Sequence, residues 1–392
     1  MRRVSILAAL ALLTLLGGCG LFGEKSNLAP PSALTHFQPT LSITQVWSRD
    51  TGNGTGGYAF TLHPALAQGV VYVANEDGTV AAYRATDGER LWRKHLKARI
   101  TGGVGFGQGL VVVGTRRGLV MALRFDTGAI VWQAQAPSEI LAAPVVGPHG
   151  VYVASLDGHV TAFGLGHGEI LWVASHVEPA LKLFLTDRPI LNQDVLYEGY
   201  ANGEVVALRS QDGERVWTTV VARPRGGDAV ERLVDVGQAV LGQSLIYVAG
   251  YHGNAVALSA DSGHILWSDP LSSDHAMALG AQSLYAVTSQ SGVVALASAT
   301  GGSLWSQNAL LNRRLGAPAL AGPAVVVGDF AGYTHWLSRR TGALMARKRV
   351  GEGAIRAAPL VASVTSDHGL PYVFVLSTTG RLTALRFEPK SP

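Results

Sequence analysis

From about residue 42 onward, apolar and polar positions follow one pattern that recurs along the chain. A short apolar run rich in β-branched residues, such as Val70-Val71-Tyr72-Val73-Ala74 or Val151-Tyr152-Val153-Ala154, leads into a polar turn ending in glycine. An Ala-Leu-like pair follows four residues after that glycine, a second glycine after ten and a tryptophan after fourteen. The first full copy has Gly78, Ala82-Tyr83, Gly88 and Trp92, and the pattern returns at Gly118 with Trp132, Gly158 with Trp172, Gly203 with Trp217 and Gly253 with Trp267. A sixth copy has Ser291 in the first glycine place and keeps Trp305. The seventh keeps Gly332 and Gly342 but carries Trp336 in the alanine place and Ala346 in the tryptophan place. An eighth begins at Gly380 and ends before its tryptophan; the missing half lies at the other end of the chain, around Trp47.

Nearly continuous apolar runs of this length predict strands buried on both faces. Asp77-Gly78 and Asp87-Gly88 supply the positive φ angles that tight hairpins need. Pro64, Pro144, Pro318 and Pro359 suit the first residue of an inner strand. Four strands per copy, at a period of roughly 40 to 50 residues, are the signature of propeller blades. The expected fold is all-β: an eight-bladed β-propeller of four-stranded antiparallel blades over residues 42–388, with a short tail at 389–392. Pairing of the N-terminal and C-terminal segments closes the ring and removes its exposed edge. Trp47, Trp92, Trp132, Trp172, Trp217, Trp267 and Trp305 recur once per blade, which marks them as structural wedges between blades rather than a stacking surface for ligands.

Residues 1–18 read as an export signal: Met1-Arg2-Arg3, an apolar run from Val4 to Leu16, then Gly17-Gly18. That run is well short of the roughly 20 residues a spanning helix needs. Leu16-Gly17-Gly18-Cys19 resembles the box cut by a lipoprotein signal peptidase, and Cys19 is the one cysteine of the chain. The expectation is a lipid anchor on Cys19, with no disulfide to form. Residues 19–41, carrying Pro30-Pro31 and Pro39 without apolar periodicity, read as a flexible tether.

Charge changes the picture little. Only 15% of residues are charged, the formal net charge of +4 includes Arg2 and Arg3, and the paired arginines are scattered, so nucleic acid is not an expected partner. Gly52-Asn53-Gly54-Thr55-Gly56-Gly57 has dinucleotide-loop spacing but precedes a strand instead of a helix. Asn75-Glu76-Asp77-Gly78 looks like part of a calcium loop without its downstream carboxylate and reads as a hairpin turn. Neither a metal nor a catalytic constellation emerges, and no cofactor is expected.

The blade repeat as a whole resembles that of pyrroloquinoline quinone enzymes, which leaves a periplasmic oxidoreductase or a ligand-binding channel as alternatives. With the lipobox, the tether and eight such repeats together, the chain resembles the BamB family, lipoprotein subunits of the outer-membrane β-barrel assembly machine. The resemblance implies a non-enzymatic scaffold, monomeric within the BAM complex, on the periplasmic face of the outer membrane. It would bind BamA, with unfolded outer-membrane client proteins as further expected partners. In the family, Leu-x-Leu-Arg and Arg-Leu-x-Asp-x-Asp loops grip BamA. Here they read Leu181-Lys182-Leu183-Phe184 and Arg232-Leu233-Val234-Asp235-Val236-Gly237, with Phe184 and Gly237 departing from the pattern. The implied contacts are Leu181, Leu183, Phe184, Arg232 and Asp235, with Lys182 expected to matter little and the two loops to meet on the rim.

Overall fold

Each β-branched run becomes the second strand of a blade, where neighbouring blades bury it on both faces. The computed structural model describes residues 29–58, 60–183, 188–223, 233–362 and 371–390. Residues 32–392 form one unit, and residues 29–31 before it carry no regular structure. Blade one runs Ala65–Ala67, Val70–Ala74, Thr79–Arg84 and Arg90–His95 from inside to outside, each strand antiparallel to the next. Eight such sheets make up the ring, and no helix occurs among the described residues. Blade five differs in having a split inner strand, with Asp235–Val236 and Val240–Leu241 both pairing with Leu245–Tyr251.

The recurring glycine and tryptophan form the joints between blades. Trp132 of blade two donates its indole N–H to the carbonyl of Leu165 in blade three at 2.8 Å. Its ring lies so close to Gly168 that a Cβ there would come within 2.5 Å of Trp132 Cε3. Trp47, Trp92, Trp172, Trp217, Trp267 and Trp305 repeat the arrangement on Ala85, Phe125, Ser210, Ala260, Ser298 and Arg339. These contacts fix the order of the blades around the ring.

The joint between blades seven and eight is built differently. Trp336 and Ala346 are cross-strand partners, as Ala82 and Trp92 are in blade one, so the two residues have exchanged places across one pair. Blade eight takes its outer strand from the other end of the chain and has no glycine turn there to receive a tryptophan. Trp336 is instead fully buried and packs on Phe387, ring centres 5.2 Å apart.

Ring closure follows the expected scheme. Leu41–Asp50 pairs with Arg381–Pro389 from Leu41 opposite Pro389 to Asp50 opposite Arg381, with a bulge between Gln45 and Trp47. The chain before it, expected as part of a free tether, is docked from Ser32 onward. Ser32 N–H donates to Leu311 O, Thr40 N–H to Met345 O, and Arg347 Nη1 to Thr35 O at 3.1 Å, with the Arg347 guanidinium over the Phe37 ring. Arg313 donates to Ser32 O and to the buried Asp329, which also bonds His335 at 3.0 Å. This strap escapes a composition-based reading because its partners are arginines nearly 300 residues away and its own backbone.

Candidate functional site

The longer connection after Trp172 begins by folding back on its own blade. His176 N–H donates to Gly158 O, and its ring stacks on Tyr200 at 3.9 Å while Nε2 lies 2.9 Å from Glu204. Two residues on, Glu178 is turned inward. Burial raises its carboxyl above the ordinary range, an effect that Lys182, 3.7 Å away, opposes. One Glu178 oxygen, Oε2, is buried without a hydrogen bond.

Leu181, Lys182 and Leu183 do not simply alternate. Leu181 is 52% exposed. Lys182 points inward and donates to the carbonyl of Leu156, so it anchors the loop instead of pointing idly to solvent. Beneath the loop this ammonium meets both a carbonyl and a carboxylate. Leu183 is half-buried.

Leu183, Lys182, Glu178 and Leu156 line a cleft of about 70 Å³ whose far wall is Glu198 and Asp235. Asp235 is buried at 5% exposure in its two-residue strand opposite Tyr251, so it forms a wall of the cleft and does not protrude. Residues 178, 182 and 183 after blade three thus share one cleft with Asp235, at the start of blade five. Phe184, Arg232 and Cys19 lie outside the described residues.

Glu178 and Glu198 were missed by sequence reasoning, and Glu198 had a signal. In Val195-Leu196-Tyr197-Glu198-Gly199 a carboxylate stands where the corresponding strands carry Val73, Val153, Val248 and Val375. Glu198 and Glu178 also raise the pKa of the neighbouring Tyr200 hydroxyl, behind the larger effect of burial. Among the described residues the cleft is lined by three carboxylates and Lys182, with the exposed Leu181 next to it in sequence. Such a site accommodates a basic side chain carried on an apolar edge.

The family model described as outer membrane protein assembly factor BamB matches residues 42–99, 76–307 and 236–391, together nearly the whole propeller. The chain belongs to the BamB family. The outer membrane protein assembly factor BamB of Pseudomonas aeruginosa is 41% identical over 96% of this chain and 97% of its own length. Among solved structures, BamB from Moraxella catarrhalis superimposes with a TM-score of 0.79 at 25% identity, covering 88% of this chain and all of that one. The quinohemoprotein alcohol dehydrogenase of Comamonas testosteroni has a TM-score of 0.69 at 15% identity, covering 88% of this chain and 76% of that one. That likeness shows the shared propeller alone, since a fold carries no activity by itself. Among the described residues no group of three His, Cys, Asp or Glu could hold a metal ion.

Proposed function

We propose that this chain is a non-catalytic scaffold in outer-membrane protein assembly, anchored by lipid at Cys19 to the periplasmic face of the outer membrane. It holds the periplasmic part of BamA through Leu181, Leu183 and the acidic cleft behind them. Membership of the family supports the assembly role. The observation that carries the interface is the cleft that Glu178, Glu198 and Asp235 line behind the exposed Leu181, because burial penalises the Glu178 carboxylate and the charge of an incoming basic side chain offsets that cost. A basic side chain of the partner would enter the cleft while Leu181 packs on its apolar flank.

Capture of purified BamA by the membrane-extracted protein tests this reading. The Leu181→Ala, Leu183→Ala double variant should bind about tenfold more weakly or worse, since a few central residues dominate an interface, with an almost unchanged unfolding midpoint. Full capture by the folded double variant would move the contact to another face. For the anchor, Cys19→Ser should fold but leave the membrane fraction; retention of that variant in washed outer membranes would place the anchor elsewhere.

A further inference from the structure

Blade seven buries an ionic cluster beneath the strap. Asp329, in the turn after Ala324–Gly328, is fully buried and both of its oxygens are engaged. Oδ1 accepts the backbone N–H groups of Ala331 and Tyr333 at 2.9 Å. Oδ2 accepts from Arg313 Nη2 at 2.6 Å and from His335 Nε2 at 3.0 Å. The other ring nitrogen, His335 Nδ1, lies 3.3 Å from Arg347 Nε. A guanidinium has donors only. Nδ1 is therefore the acceptor, the ring proton sits on Nε2, and the fully buried imidazole is neutral.

The groups around this ring come from several elements. Arg313 belongs to the loop entering blade seven, Arg347 to the outer strand and Tyr333 to the strand of His335 itself, its ring centre 6.2 Å away. Blade six meets this side of blade seven with aliphatic residues, Val287, Val293 and Leu310, packed with Val327 and Leu337; Val327 is the cross-strand partner of His335. The strap contributes the carbonyls of Ser32 and Thr35 and the Phe37 ring over Arg347, and its own titratable side chain, His36, is exposed. Burial lowers the pKa of the His335 imidazole, Asp329 opposes that effect, and the charges of Arg347 and Arg313 add to the lowering.

We propose that His335 is an acid-sensitive latch for the strap: a proton on Nδ1 expels Arg347, and Thr35 and Phe37 lose their hold with it. Protonation sets Nδ1–H against the Arg347 Nε–H, donor facing donor and cation beside cation, and Asp329 has both oxygens committed already. The docked strap favours the neutral imidazole, whereas the open strap returns it to the ordinary value near 6.5. Docking is thus at full strength above that value and weakens as pH falls below it. Release frees residues 32–40 to extend, adding up to about 30 Å to the reach of the chain ahead of the propeller.

Hydrogen exchange of residues 32–40 in the detergent-solubilised full chain, corrected for the intrinsic pH dependence of exchange, reads the latch at pH 7.5 and 5.5. Opening of the strap should rise about tenfold between the two, as expected for a group that titrates near 6.5 once released. His335→Gln supplies an amide that does not titrate, and its strap should show the same opening at both pH values. His36→Gln should keep the rise. Arg347→Ala reads the same latch should His335→Gln fail to fold, with the strap open to the same extent at both pH values. A wild-type strap that opens equally at pH 7.5 and 5.5, or a rise that persists in folded His335→Gln or Arg347→Ala protein, overturns the proposal.

Discussion

Trp132 is 5% exposed, lies against Gly168 and spends its single donor on Leu165 of the next blade. Truncating it removes a large buried ring from a joint whose backbone cannot collapse without shifting a whole blade. Trp132→Ala should therefore cost about 3 to 5 kcal/mol, read as a lower urea midpoint with an unchanged slope; a loss below about 1 kcal/mol would mean that the joint is not held by this ring. The tryptophans were legible because both members of each joint recur at fixed spacing. What one blade's sequence could not reveal is that Trp132 pairs with the glycine of the following copy and not with its own Gly128, which receives Trp92. Turn geometry shows a similar limit. Ser291 takes the positive φ of the glycine it replaces, at 67°, and in blade five it is His252, not Gly253, that adopts this conformation. The inward turn of Lys182 was illegible for a different reason: residues 181–183 lie in a loop, and the groups that receive the ammonium, Leu156 O and Glu178, come from outside that triplet.

At the scale of elements, the strap from Ser32 to Thr40 is held by few side chains, which makes it testable. Arg347 joins Thr35 O and the Phe37 ring to the outer strand of blade seven. Removing that hydrogen bond and cation–π contact should ease local opening by about 1 to 2 kcal/mol. Arg347→Ala is thus expected to raise the rate of limited proteolysis within residues 32–40 roughly tenfold, with the propeller core left intact; an unchanged cleavage rate would show that the backbone bonds to Leu311 and Met345 suffice. The strap was illegible because Pro31, Ser32 and Pro39 look like coil and its restraints come from distant residues. The blade strands were legible for the opposite reason, each carrying its apolar run and turn within one copy. The acidic cleft falls between these cases. Glu198 breaks an otherwise aliphatic position, but nothing local says that Glu178 turns to the same space.

For the whole molecule, the repeat determined the ring because a period of this length leaves each blade dependent on its neighbours for burial, and the incomplete first and last copies showed where the ring closes. That closure has a consequence for the order of events during folding. Ser48 Oγ and Thr383 Oγ1 meet at 3.1 Å across a sequence separation of 335 residues, and the strand they latch, Leu41–Asp50, leads the propeller sequence while its partner Arg381–Pro389 ends it. A chain that emerges N-terminus first must carry this strand with its pairing edge unfilled until nearly the last residues arrive. Loop-closure entropy rises slowly with length, and stacking of the intervening blades brings the ends together beforehand. Latching is therefore a late step, and the interval before it is when Leu41–Asp50 is open to pairing with another chain.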